Sequence, residues 1–183
     1  MKVFISMLRG VNMTGHNSVK MTDLTDLYKS LGYKDAETYI QSGNVIFSGE
    51  VNLPVVDISS KIEKAIFERF TYRIPVMIRT IDEMRNLKLS NPFHKEADID
   101  PSKLAVILLY EEITNAQIQK VINIDFPPDK FNIIGREIFI YCPNGFGKTK
   151  LYTNFFEKKM GVTGTARNWK TINKLLEIAE KKQ

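Results

Sequence analysis

Apolar residues recur at two spacings in the first eighty residues, and each spacing predicts a different element. Short apolar runs predict strands at 2–7, 37–41, 44–48 and 75–80. Helical spacing predicts helices at 20–31 and 57–70, and Gly32 is placed to end the first with a left-handed residue. The resulting order, βαββαβ, is the ferredoxin-like pattern, in which two helices cover one face of an antiparallel sheet.

Strand patterns return in the second half of the chain. The predicted strands are 104–110, 130–134 and 137–142. Gly135 and Arg136 stand between the last two strands and predict a two-residue hairpin turn with glycine first.

Three helices are predicted in this half. Thr114 and Gln117 match a capping box, which predicts a helix at 114–122. A second helix ends at Gly161, and a third contains Trp169 and closes the chain. This half is therefore expected to be βαββα, with a closing helix in place of a fourth strand.

The expected fold class is α+β with two ferredoxin-like subdomains. The first is expected at 1–80 and the second at 104–183. Residues 81–103 are expected to hold a polar connector and a short helix, which starts at a capping box of Thr80 and Glu83. No sequence identity between the halves is evident, so the duplication depends on element order alone.

The composition is that of a globular protein, with 43% hydrophobic and 26% charged residues. No run approaches the ~20 apolar residues of a membrane span, and the N-terminal run is shorter than a signal-peptide core. We expect a cytoplasmic protein with no membrane partner. The single cysteine, Cys142, is interpreted as a small buried hydrophobic residue. One cysteine and two histidines are too few for a zinc site, and no metal or cofactor is indicated.

Positive charge is concentrated near the C-terminal end. The net charge is +5, and residues 145–183 contain nine Lys or Arg against three Glu. Such a bias attracts polyanions, including nucleic acids. Four of the lysines are explained better as solvated helix faces: Lys158, Lys159, Lys181 and Lys182. Lys148, Lys150 and Arg167 differ because they adjoin loops that contain glycine.

The segment NGFGKTK resembles part of a phosphate-binding loop. It is not a P-loop, because the first glycine of that motif would be Cys142 and the preceding strand is a hairpin arm. Gly145 and Gly147 are instead expected to form a backbone nest ahead of a helix that begins near Leu151. The counter-charges for an anion there would be Lys148 and Lys150.

A polar loop separates the first strand from the first helix. Its polar and glycine residues include Arg9, Gly10, Asn12, His16 and Asn17. Arg9 can hold a carboxylate or phosphate with paired hydrogen bonds. His16 is the weak catalytic candidate, as an acid or base on an anionic substrate; the alternative is a solvated or capping residue. His94, in the connector, is interpreted as incidental.

The segment QSGN forms a turn between two predicted strands. Gly43 and Asn44 are expected to tolerate positive φ and to close a hairpin. The side chains of Gln41 and Ser42 are left free to contact a ligand or a neighbouring loop.

The segment TARNW precedes the last predicted helix. Thr165 or Asn168 can cap this helix, and Trp169 is expected in the core. Arg167 has no local structural role in this interpretation and is a candidate ligand-binding residue.

Four segments together carry a family resemblance. RGVNMTGHNSVKM, TYIQSGNVIF, GFGKTKL and TARNWKTINKL closely resemble, in the same order, the signature segments of a bacterial family known as domain of unknown function 1697. The resemblance covers nearly the whole chain and implies two ferredoxin-like subdomains and no established activity. The shared residues correspond here to Arg9, Gly10, Asn12, Asn17, Gln41, Ser42, Gly43, Asn44, Gly147, Lys150, Arg167, Asn168 and Trp169. This chain has Thr14 where Gly is common in the family, and Lys148-Thr149 where Arg-Ser is common.

Three functional hypotheses follow. The leading one is binding of a phosphate-bearing ligand, a nucleotide or a nucleic acid, by Arg9, Lys148, Lys150 and Arg167, whose loops are expected to line one surface. The second is a protein-interaction module in which Arg and Asn side chains latch the two subdomains together. The third is an enzyme on an anionic substrate with His16 as acid or base. The sequence does not fix the ligand, the reaction or the oligomeric state.

Overall fold

The structure is a computed structural model that describes residues 1–13, 15–50 and 53–183. It divides into two compact units. Unit 1 comprises Met1–Arg85 and Lys174–Gln183, and unit 2 comprises Asn86–Asn173. Thr14, where the chain departs from the usual glycine of the family, lies outside the described residues.

The first apolar runs form an antiparallel sheet flanked by helices. In chain order the elements are β1 (Lys2–Leu8), α1 (Met21–Ser30), β2 (Lys34–Tyr39), β3 (Asn44–Gly49), α2 (Val55–Phe70), β4 (Val76–Thr80) and α3 (Ile81–Ser90). Within the described residues the sheet has four strands in the order β2-β3-β1-β4. The predicted βαββαβ order is confirmed, and the helix predicted after Thr80 begins at a capping box in which Glu83 accepts the Thr80 N–H at 2.8 Å.

One face of this sheet packs on α1 and α2. Phe4 and Phe47, on neighbouring strands, stack with their ring centroids 5.5 Å apart, and Tyr28 of α1 meets Phe47 edge-on at 5.1 Å. The Tyr28 hydroxyl forms a hydrogen bond with Ser6, so the buried polar group is satisfied. Burial raises the pKa of Tyr28.

Unit 2 uses the same order of elements. They are β5 (Leu104–Leu109), α4 (Asn115–Gln119), β6 (Lys130–Ile134), β7 (Glu137–Tyr141), α5 (Thr153–Met160), β8 (Gly164–Asn168) and α6 (Trp169–Lys181), which ends in unit 1. In the described part of the chain its sheet also has four antiparallel strands, in the order β6-β7-β5-β8. Element for element, this order repeats that of the first sheet. The fold class is α+β, with two four-stranded antiparallel sheets among the described residues.

The expectation that unit 2 lacks a fourth strand was wrong. The segment Gly164–Asn168 is β8, which pairs with β5 and places Thr165 opposite Leu108 and Arg167 opposite Val106. Small and polar residues fill this strand, so it shows no apolar alternation that would predict it. Its Thr and Arg side chains are nevertheless buried.

The helices of unit 2 are shorter than predicted. The capping box of Thr114 and Gln117 is confirmed, but the helix it starts, α4, has five residues where nine were expected. α5 begins at Thr153, two residues later than expected, and ends as predicted at Gly161, which has a φ of +70°.

In the part of the chain that the structure describes, no helix combines the length and the apolar character that crossing a membrane requires.

Candidate functional site

Asn12 holds the loop after β1 to the turn before β3. Its Nδ2 donates to the backbone carbonyls of Val19 at 2.9 Å and Gln41 at 2.8 Å. Its Oδ1 accepts the N–H of Val19 at 2.8 Å. Asn12 has a φ of +54°, a conformation that asparagine tolerates better than most residues. The residue type therefore fits both the conformation and the hydrogen bonds.

Asn17 closes the same loop from its other end. Its Nδ2 donates to the carbonyl of Gly10 at 3.0 Å, and its own carbonyl accepts the N–H of Asn12 at 3.2 Å. These bonds bring Gly10, Asn12 and Asn17 together and use the amide of Asn17 within the protein. A role for these amides in ligand binding would compete with that structural role.

Asn44 performs a similar task in the turn between β2 and β3. Its buried Nδ2 donates to the carbonyl of Tyr39 at 3.0 Å and to Ser42 Oγ at 2.9 Å. The expectation of a free Ser42 side chain was therefore wrong. Positive φ falls on Ile40 and Gly43, and Asn44 is not among the positive-φ residues, because it is already the first residue of β3.

The remaining candidates of unit 1 lie around these asparagines. Arg9 is half-buried, and its backbone N–H donates to the carbonyl of Pro75 at 3.0 Å. Gln41 is exposed and offers its carbonyl to Asn12. His16 is exposed, and its backbone N–H donates to the carbonyl of Met13 at 2.9 Å. The eight predicted site residues of unit 1, His16 included, thus lie in two loops that Asn12 joins, and the asparagines of these loops fix the backbone.

The glycine loop of unit 2 uses part of its backbone internally. Gly145 has a φ of +88°, and its N–H donates to the carbonyl of Cys142 at 2.9 Å. Residues 146–148 form one 3-10 turn, in which the Lys148 N–H donates to the carbonyl of Gly145 at 3.2 Å. The expected nest thus has fewer N–H groups to offer an anion. In this loop the groups that suit an anion are the exposed side chains of Lys148 and Lys150.

These two lysines border a cavity of about 300 Å³ within unit 2. Its lining residues are Asp125, Phe126, Pro127, Pro128, Asp129, Asn144, Lys148 and Lys150. The cavity lies between the turn that precedes β6 and the loop that follows β7. Such a concave site with a few polar groups suits a small ligand.

The cavity has two walls, residues 125–129 before β6 and residues 143–150 after β7. The β6–β7 hairpin brings these two walls together. Its register pairs Lys130, the first residue of β6, with Tyr141, the last of β7. The residues before one strand and after the other therefore come out of the hairpin side by side. Phe126 and Asp129 form an isolated bridge in which the Asp129 N–H donates to the Phe126 carbonyl at 2.8 Å, and this tightens the first wall.

An aromatic ring supports one of the lysines. The Nζ of Lys150 lies 5.9 Å from the centroid of the Phe126 ring, within the range of a cation–π contact. Phe126 in turn meets Phe155 of α5 edge-on at 5.3 Å between centroids. The half-buried ring is therefore anchored to the core, and the ammonium group lies beside it.

The charged groups that the structure describes around the cavity form no ion pairs with one another. Among the described residues, no ion pair involves Lys148, Lys150, Asp125 or Asp129. Cys142, the residue that follows β7, has no exposed surface, which confirms its interpretation as a buried residue. Burial raises the pKa of Cys142, a hydrogen bond with Thr149 opposes this, and the charge of Asp129 adds to it.

Arg167 and Asn168 do not line this cavity. Arg167 is only 8% exposed, and its Nη1 donates to Thr165 Oγ1 at 2.9 Å and to the Ala166 carbonyl at 2.8 Å. Burial lowers the pKa of Arg167 to about 10. The expectation that Arg167 has no local structural role was wrong. Asn168 accepts a hydrogen bond from Thr171 Oγ1 at 3.0 Å at the start of α6.

Six lining residues were missed by the sequence analysis: Asp125, Phe126, Pro127, Pro128, Asp129 and Asn144. A signal for them existed. The two-residue turn at Gly135 and Arg136 fixes the register of the hairpin, and extending that register places DFPPD beside CPNGF, the segment that leads into Lys148 and Lys150.

The structure is that of an α+β protein with a duplicated order of elements. Comparisons with known proteins identify its family. A family model described as a protein of unknown function, DUF1697, matches residues 1–139. The chain belongs to this family, as the resemblance predicted. The segments RGVNMTGHNSVKM and TYIQSGNVIF lie within the matched residues, and GFGKTKL and TARNWKTINKL lie beyond them. Lys148 and Lys150 lie beyond the matched residues.

A solved structure shows the same fold. The conserved bacterial protein SP0830 from Streptococcus pneumoniae matches with a TM-score of 0.76 and 20% sequence identity, over 97% of this chain and 98% of that chain. At this identity the similarity concerns the fold. No curated protein matches the chain.

Proposed function

We propose that the protein binds a phosphate-bearing ligand in the cavity of unit 2, with Lys148 and Lys150 as its anion-binding groups. One observation carries the proposal: two exposed ammonium groups border the same cavity, and neither forms an ion pair with any described residue. A phosphate placed between them would accept charge-assisted hydrogen bonds from both, which are stronger than bonds between neutral groups.

The two joined loops of unit 1 support a second candidate function. Asn12, Asn17 and Asn44 direct their amides to backbone carbonyls of their own unit. Rigid loops of this kind suit a surface that another protein recognises, because little conformational entropy is lost on binding. In this alternative the asparagine side chains of these loops serve structure and protein association, and the cavity of unit 2 is incidental.

The proposal includes a ferredoxin-like topology for both units. The βαββαβ order and the strand orders β2-β3-β1-β4 and β6-β7-β5-β8 support it. In unit 2 the cavity would then lie at an end of the sheet where a hairpin terminates, and it would not use the face of the sheet.

A thermal-shift screen with matched lysine variants tests the proposal. The ligands are inorganic phosphate, nucleotides, sugar phosphates and a short RNA, each at two salt concentrations. The test variant is Lys148→Met with Lys150→Met. The control is Lys158→Met with Lys159→Met, which removes the same charge from exposed lysines of α5.

We expect at least one ligand to raise the melting temperature of the wild type and the control in a saturable way. A ligand at 100 times its Kd adds about 2.7 kcal/mol of stability, which corresponds to several degrees. The shift should disappear in the cavity variant. Equal losses in both double variants would show attraction to net charge alone, and the absence of a shift with any ligand would reject the proposal.

A further inference from the structure

The cavity of unit 2 contains groups that a bare phosphate does not need. Asp125 and Asp129 line it together with the two lysines. Ionised carboxylates are hydrogen-bond acceptors, and they repel a phosphate group. A ligand that suits this lining must therefore carry hydrogen-bond donors as well as negative charge.

The same mixture of charges disfavours a long polyanion. Nucleic-acid backbones bind where several cations act together and counterions are released. Here two lysines and two aspartates line a cavity of about 300 Å³. That volume lies at the lower end of the range for small-molecule sites. The lining and the size both favour a compact ligand.

The Phe126 ring adds a third kind of contact. It is half-buried, lines the cavity and is held edge-on against Phe155. A fixed aromatic ring at a ligand site can stack with a planar base, and such stacking is favourable for every base because each has a π-face. The Nζ of Lys150 lies over this ring, 5.9 Å from its centroid, and the flexible side chain can leave the ring and move toward a phosphate.

We propose that this cavity binds a ribonucleoside monophosphate; the inference rests on the proposed function and names its ligand class. Lys148 and Lys150 bind the phosphate, and the carboxylates of Asp125 and Asp129 accept hydrogen bonds from the ribose hydroxyls. A carboxylate performs the same task on the ribose in dinucleotide-binding folds. Phe126 contacts the base.

Isothermal titration calorimetry with a graded set of ligands tests this inference. The probes are the four common ribonucleoside monophosphates, their 2′-deoxy counterparts, ribose 5-phosphate, inorganic phosphate and a short RNA. The test variant is Asp125→Ala with Asp129→Ala, and Asp125→Asn with Asp129→Asn provides a more conservative pair. The control is Glu111→Gln with Glu112→Gln, which removes two exposed acidic groups elsewhere in unit 2.

At least one ribonucleotide should bind the wild type ten-fold or more tightly than its 2′-deoxy counterpart and than inorganic phosphate. Both aspartate variants should lose this preference, while their affinity for inorganic phosphate stays equal or rises. The glutamate control should bind as the wild type does.

Two outcomes would overturn the inference, and they are distinguishable. If phosphate compounds or RNA bind through Lys148 and Lys150, but without a preference for ribonucleotides or an effect of the aspartates, the nucleotide assignment fails and the phosphate site stands. If no phosphate compound binds the wild type, both fail together.

Discussion

The Nδ2 atom of Asn12 lies 2.8 Å from the backbone oxygen of Gln41, so a single side chain joins the loop after β1 to the turn before β3. The same side chain exchanges two further hydrogen bonds with Val19. Because Asn12 also has a φ of +54°, this position needs a residue that supplies an amide and tolerates a left-handed conformation.

Replacement of Asn12 should therefore destabilise the protein in two separable ways. Asn12→Ala removes three hydrogen bonds. It also puts alanine, which tolerates positive φ less well than asparagine, at this position. Together these effects should lower the free energy of unfolding by about 2–4 kcal/mol. Asn12→Gly loses the same bonds without the backbone strain and should cost less. Urea denaturation of the three proteins measures both effects. Equal stability of wild type and Asn12→Ala would show that the loop does not depend on this side chain.

Gly164 allows β8 to approach β5 closely. A Cβ on this residue would lie 2.8 Å from the backbone oxygen of Leu108 and 2.9 Å from Ile107 Cγ2. Gly164→Ala should therefore lower the free energy of unfolding by about 1–3 kcal/mol. Gly147→Ala is the control, because a Cβ there meets nothing within 4 Å. Chemical denaturation that finds the two variants equally stable would argue against the pairing of β8 with β5.

Cys142 is the only cysteine of the chain and reports on the opening of unit 2. It is fully buried, and burial raises the pKa of its thiol, so the reactive thiolate is disfavoured in the folded protein. A thiol reagent should label the native protein at least about 100-fold more slowly than the protein in denaturant, because labelling requires local or global opening. Labelling of the native protein at the rate of an exposed cysteine would contradict this burial.

Glu177 should titrate at unusually low pH. Hydrogen bonds from Lys181 and Lys174 lower the pKa of Glu177 from 4.5 to about 2. The pKa of Glu177 is lower in the folded than in the unfolded protein, so its ion pairs stabilise the fold fully above about pH 4.5. This stabilisation decreases as the pH falls toward 2 and Glu177 becomes protonated. Carbon-13 NMR of the side-chain carboxyl measures the midpoint directly. Lys181→Met should move it upward, and a wild-type midpoint near 4.5 would show that these bonds do not persist in solution.

Much of the fold was predictable because periodicity and capping signals are local. Val45 and Phe47 follow a strand pattern, and Thr114 with Gln117 gives a helix start that the structure confirms. β8 was not predictable in this way. Its pairing with β5 depends on a glycine that allows close approach and on the burial of Arg167, and neither produces an apolar pattern.

The candidate site was only half predictable for a related reason. Lys148 and Lys150 were noticeable because they adjoin glycines, whereas Asp125 and Asp129 stand in a separate turn that looks like an ordinary connection. Only the register of the β6–β7 hairpin brings the two segments together. The asparagines of unit 1 had the opposite problem. Their residue types suggested ligand contacts, but the geometry assigns Asn12 to the backbone.

The most direct test of the account is a nitrogen-15 NMR titration of the wild-type protein with a ribonucleoside monophosphate and, separately, with inorganic phosphate. Both ligands should shift amide resonances that concentrate in residues 125–129 and 143–150, the two walls of the cavity. Saturable shifts confined to these segments would support a phosphate site in unit 2. An unchanged spectrum, or shifts concentrated in residues 9–17 and 41–44 instead, would contradict it.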